Sequence, residues 1–284
     1  MRKIIIAIIT VNLIVSIFIL IVNRETERAI TYFPLHPEIT IDQAFTSLQA
    51  TPKQQSKNIL LEWFIQSRTD DALYLRQDIS LLFENGYLID VINIWKQTTA
   101  LINEQKTIER RNNKLFQTIS FHYGEIHDHG QAINSTQLMS YDQLYTIYCN
   151  RYDKTSIFKQ PKNFSQKQHA KLLDEQINGH LQMYWQRLMN EYDIDPEKYY
   201  QIPLIDLENY NEQPLPRLSQ AKTNQVIGQL WEGLYKNYII PMSKQKSMSD
   251  EHFMPLILFD RKATHLLVIY KLNGKPEQLR QNIS

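Results

Sequence analysis

Residues 4–22 form an apolar run without one charged side chain. At about 1.5 Å of helical rise per residue the run would reach roughly 28 Å, close to the hydrocarbon thickness of a bilayer. It exceeds the apolar core of a cleaved signal peptide, and Asn23, Arg24, Glu25, Thr26, Glu27 and Arg28 after it offer no small-x-small cleavage site. The pattern predicts a transmembrane signal anchor over 1–23. Arg2 and Lys3 before the run are balanced by Arg24 and Arg28 after it, so charge alone does not orient it. A long following domain is translocated largely regardless of its charge. The expectation is a single-pass cell-membrane protein with a cytoplasmic N-terminus and an extracytoplasmic bulk.

Pro34 and Pro37 lack backbone donors and favour extended chain, so 24–39 reads as a juxtamembrane tether. Helical spacing dominates the next stretch. Thr40 with Gln43, and Thr51 with Pro52 and Gln54, fit helix starts. Ile59, Leu60, Trp63 and Phe64 share one helical face, as do Leu75, Ile79, Leu82 and Phe83 before Asn85 and Gly86, and then Leu88, Val91, Ile92 and Trp95. Residues 40–110 are thus expected to be helical.

From 111 onward the pattern becomes mixed. Short apolar runs broken by polar turns over 114–149 predict an antiparallel β-meander of about three strands. Two amphipathic helices follow, one striped by Leu173, Ile177, Leu181, Trp185 and Leu188, the other by Ile227, Leu230, Trp231, Leu234 and Tyr238. Pro196, Pro203, Pro214 and Pro216 impose a loop between them, with a short strand at 202–205. Apolar runs at 254–259 and 265–272 predict a C-terminal β-hairpin. The fold class expected is α+β: a transmembrane helix, then an extracytoplasmic region over 40–284 with several amphipathic helices, a central antiparallel meander and the hairpin.

Charge narrows the function classes. Lysine and arginine number 31 against 30 acidic residues, a net charge of +1, which leaves no electrostatic footprint for nucleic acid. Only seven glycines occur, and phosphate-cradling loops are glycine-dense, so nucleotide binding is not expected. The same scarcity argues against a tight all-β barrel, whose turns consume glycine. Cys149 is the single cysteine and excludes an internal disulfide.

The densest group of chemical side chains is His122, Glu125, His127, Asp128 and His129. In an extended chain Glu125, His127 and His129 point to one side, a donor set suited to zinc or ferrous iron. The plainer reading is a polar hairpin tip with no cofactor, a divalent metal being the alternative. Asp206 and Glu208 alternate beside Tyr199, Tyr200 and Tyr210 in the proline-rich loop. No Gly-x-Ser-x-Gly elbow occurs. Within the apolar run Asn12 and Ser16 lie one helical turn apart and are candidates for contact with another membrane helix.

The function expected from these features is that of an interaction or accessory protein of a bacterial cell envelope. Its partners would be the bilayer through 4–22 and a membrane or envelope protein, with no nucleic acid or nucleotide. The alternatives are an anchored metal-dependent hydrolase using the 122–129 cluster, and a sensor ectodomain acting through a separate membrane partner.

Overall fold

The computed structural model describes residues 31–53, 57–127, 132–149, 154–244 and 252–283. Strand accounts for 54% of the described residues and helix for 27%, which corrects the α+β expectation with several amphipathic helices: the protein is mostly β, built on a nearly closed, barrel-like sheet. Its strands are β1 (Gln43–Pro52), β2 (Asn58–Glu84), β3 (Tyr87–Arg111), β4 (Lys114–His127), β5 (Ile133–Cys149) and β6 (Lys154–Phe158), in the order β1-β2-β4-β5-β6 with β3 on β2. A long helix α1 (Phe164–Glu191) follows, then β7 (Tyr199–Pro203), a 3-10 segment Leu204–Asn211, and helix α2 (Gln220–Leu234). Helix α2 continues through a π turn, Tyr235–Ile239, into the short α3 (Ile240–Ser243). Strands β8 (Leu256–Asp260), β9 (His265–Leu272) and β10 (Lys275–Asn282) complete a second sheet, ordered β10-β9-β8-β7.

The stretch expected to be helical is instead one long β ribbon. Its apolar residues satisfy period two as well as period 3.6: Ile59, Leu61, Trp63 and Ile65 alternate inward and are all fully buried. Asn85 and Gly86, which follow the apolar stripe ending at Phe83, form the two-residue loop of the β2–β3 hairpin. Their φ values of 51° and 82° are what a type I′ turn demands. Asn273 and Gly274 repeat the device between β9 and β10 at 53° and 75°. Low glycine content is compatible with this sheet because its strands are long, turns are few, and asparagine fills left-handed positions such as Asn113 at 62°.

Drawn straight, the 27 residues of β2 would span roughly 90 Å at about 3.3 Å per residue. The ribbon is folded back, because Arg110, which pairs with Ile59 at one end of β2, places Nε 3.5 Å from Glu84 Oε2 at the other. The corner lies where the β2–β3 register jumps from Arg68↔Leu101 to Leu73↔Thr99, beside Thr98 with φ 46°. Gly124 of β4 lets the chain pack closely there, since a Cβ would stand 2.5 Å from Leu73 Cδ1 and the leucine side chain would have to shift.

Folding back creates an interior with two halves. Leu48, the inward residues of β2, Leu82, Phe116 and Leu144 fill one end. The other is polar, with Ser67, Thr69, Arg76, Asp78, Ser80, Thr118, Ser120 and His122 all buried. The outer face of β2, β4 and β5 packs through Ile79, Leu81, Phe121 and Met139 on α1, α2 and the second sheet, forming the larger core. Residues 31–39, within the stretch read as a tether, lie against this body: Tyr32 N–H donates to Glu232 at 2.8 Å, and Ser135 Oγ donates to the Phe33 carbonyl at 2.7 Å.

Among the described residues no helix is long and apolar enough to cross a membrane, so the single-pass anchor and the cell-membrane placement drawn from it are not supported and are corrected here. The run at 4–22, with Asn12 and Ser16, lies outside the described residues.

Candidate functional site

The site is a cleft of about 560 Å³ between the outer face of β4 and β5, helix α1 and the segment leaving β7. Its size falls in the usual range for small-molecule pockets, about 300 to 1,000 Å³. Leu115, Ile177, Leu181, Trp185 and Met254 make the apolar part of the wall. Gln117, Tyr141, Gln143, Tyr145, Asp174 and Asp206 bring the polar groups.

Alternation places Gln117 on the outer face of β4 and Tyr141, Gln143 and Tyr145 on that of β5. They are chained: Gln117 Nε2 donates to Tyr141 Oη at 3.2 Å, and the Tyr141 hydroxyl donates to Gln143 Oε1 at 2.8 Å. The Tyr145 hydroxyl donates to Asp174, 2.9 Å from Oδ1. Asp174 sits on α1 between Ala170 and Ile177, in the row of residues that the helix buries. Helical spacing thus forces a carboxylate against the sheet.

Neither Asp174 nor Asp206 forms an ion pair with a cation among the described residues. Burial raises the Asp174 carboxyl above the ordinary carboxylate range, and the hydrogen bond from Tyr145 opposes this only in part. Asp206 stands at the mouth, where solvent reaches it, yet desolvation by the surrounding protein raises its carboxyl too. Burial pushes the Tyr141 phenol up to about 12, with Asp206, Asp142 and Asp174 adding to the effect. Among the described residues the lining of the cleft thus holds two carboxylates and no lysine or arginine.

The residues singled out from the sequence are distributed elsewhere. Glu125 and His127, at the end of β4, are brought together, with Oε2 3.2 Å from Nε2, and the His127 ring stacks on Tyr74 at 3.7 Å. His129 lies outside the described residues, and among those described no group of three or more metal-ligating side chains is assembled. Glu208 lies with Asp206 on the 3-10 segment and not on a strand. Sequence reasoning missed Asp174, Tyr141, Tyr145 and Gln117. The available signal was Asp174, an acid falling on the apolar stripe of a helix.

His122 turns to the barrel interior instead. Its Nδ1 lies 3.0 Å from Asp78 Oδ2, an ion-pair distance without hydrogen-bond alignment, and its Nε2 lies 2.8 Å from Ser140 Oγ. The order Ser, His, Asp is that of a hydrolytic triad. Asp78 and His122 are wholly buried and Ser140 is 8% exposed, so no substrate carbonyl meets the hydroxyl without opening the barrel. The chain acts as a strut joining β2, β4 and β5.

No known protein family matches the sequence, and no curated protein matches it. Among solved structures, the chain shows a distant similarity to a β-glucuronidase 2 of Bacteroides uniformis covalently bound to cyclophellitol-6-carboxylate aziridine, at 10% identity and a TM-score of 0.26. The match covers 71% of this chain and 28% of that one, and at this TM-score it carries no argument.

Proposed function

We propose that the protein is a binding protein whose cleft between β5 and α1 takes a small amine-bearing ligand. The observation that carries the reading is Asp174: a half-buried carboxylate, held above its ordinary range by burial and met, among the described residues, only by a tyrosine hydroxyl. A carboxylate in that state gains from a cation, because an ammonium restores the interactions that burial removed. Tyr141 and Tyr145 supply aromatic surface beside it, and Gln117 and Gln143 supply amide oxygens for N–H donors. Asp206 at the mouth suits a second ammonium. The accessory role expected from the sequence becomes in this reading the capture of a ligand.

Titration calorimetry with putrescine and spermidine, against the neutral polyol glucitol, tests it. Both amines are expected to bind and glucitol to give no heat. Asp174→Asn should weaken amine binding roughly tenfold or more, the scale of one charge-assisted hydrogen bond. Equal affinity in wild type and variant, or no amine binding, overturns the proposal.

A further inference from the structure

Helix α1 borders a second cleft of about 600 Å³ with the opposite polarity. One wall is aromatic: the Tyr87 and Phe253 rings lie 4.2 Å apart between centroids, and Phe253 stacks on Tyr184 at 4.3 Å. Across this wall stand Arg187 and His180 from α1 and Lys271 from β9, the Lys271 ammonium 6.0 Å above the Tyr184 ring. Glu191 lines the same cleft, but among the described residues neither Arg187 nor Lys271 forms an ion pair with it or with any other acid. Tyr184 is only 7% exposed, and its hydroxyl, beside the Lys271 backbone, has no well-formed hydrogen bond. A buried hydroxyl left so is costly unless something else meets it.

We infer that this cleft is a second binding site, for a small aromatic carboxylate. The anion lies between Arg187 and Lys271, and the ring lies on the Tyr87 and Phe253 wall. Guanidinium and ammonium supply the charge-assisted hydrogen bonds that select an anion, and the aromatic wall selects an aromatic body. Two cations, Arg187 and Lys271, against one acid make the cleft attractive to a negative ligand, as the Asp174 cleft is to a positive one. The inference does not depend on the amine site, since the two clefts share no lining residue.

The probes are benzoate and its neutral isostere benzamide, followed by chemical-shift perturbation on the full chain. Benzoate should bind and shift Tyr87 and Phe253 resonances, with benzamide at least tenfold weaker. The double variant Arg187→Ala, Lys271→Ala should lose benzoate binding at least tenfold. Arg187 is exposed and Lys271 half-exposed, so the variant should keep the wild-type thermal transition. Arg187→Lys, which keeps the charge but loses the planar fork, should fall between. Benzoate binding equal to that of benzamide, unaltered in the double variant, or absent from the wild type overturns the inference. Asp174→Asn serves as the control and should leave benzoate affinity unchanged.

Discussion

The Arg76 guanidinium donates to the carbonyl of Ala100 at 3.1 Å, joining the two arms of the β2–β3 ribbon at the point where it turns back. The same nitrogen donates to Thr69 Oγ1 at 2.9 Å, and the other terminal nitrogen donates to Ser67 Oγ. Ser67 in turn donates to Asp78 Oδ1 at 2.9 Å. Arg76 is fully buried; burial pulls its guanidinium below the usual value, while Asp78 and Asp42 pull the other way. A charge so placed is stabilised only by its partners.

Replacing Arg76 by Met should therefore destabilise strongly, by about 3–5 kcal/mol, because Asp78 is left buried without its cation and the Ala100 carbonyl without its donor. Combining Arg76→Met with Asp78→Asn removes the orphaned charge and should recover part of the loss. Urea unfolding followed by tryptophan fluorescence measures both. A double variant as unstable as the sum of the single ones would show that the two charges are not coupled.

After Phe158 the two long helices and the strands at 256–260 and 265–272 were legible in the sequence, whereas β10 and the 3-10 segment were not, and the strand expected at 202–205 lies at Tyr199–Pro203. Before Lys114 the elements were not legible. Helix α1 announced itself by a stripe over many turns, and the strands at 256–260 and 265–272 by compact apolar runs. In the ribbon the alternation was masked by apolar residues on the outer face. Leu60 is 36% exposed, and Phe64 meets Phe45, 41% exposed, at 5.4 Å on that face. Together with the inner residues they mimic a helical stripe. Asn85–Gly86 was the local signal that resolves the ambiguity, because this dipeptide between apolar runs favours a hairpin as strongly as it ends a helix. The cleft was less legible still. Gln117, Tyr141, Asp174 and Asp206 come from separate elements, and only the packing of α1 on the sheet makes them neighbours.

The raised carboxyl of Asp174 fixes the sign of a pH effect. An acid whose folded value exceeds its unfolded value keeps its proton longer in the fold. Its contribution to stability is fully present below the unfolded value and is lost as pH rises through the folded one. Asp174→Asn mimics the protonated side chain and should raise the thermal midpoint at neutral pH, but not at a pH below about 3.5, where the wild type is itself protonated. Thermal scans of both proteins across this range check the difference. A variant equally stabilised at both ends of the range would mean that the gain is unrelated to the proton. The variant predicted to bind amines less tightly is then the more stable protein at neutral pH, as expected where a binding group is held at some expense to the fold.

Asp142 completes the barrel where no strand pairing does. Strands β1 and β5 run close but form no ladder, and the Leu48 N–H, turned away from β2, donates to Asp142 Oδ2 at 2.7 Å. Lys159 holds the same oxygen at 2.6 Å and reaches Ser47 Oγ at 3.5 Å. Asp142→Ala should cost about 1–3 kcal/mol, since it strands a backbone donor at the seam and frees Lys159. Its effect should also be local. Hydrogen exchange of the Leu48 amide and its neighbours in β1 should quicken, whereas β4 and β5, which pair with each other throughout, should keep their protection. Uniform acceleration over all these strands would show instead that β1 is part of one cooperative unit with β4 and β5, and that the seam is held by the buried side chains of Leu48 and Leu144 more than by the carboxylate.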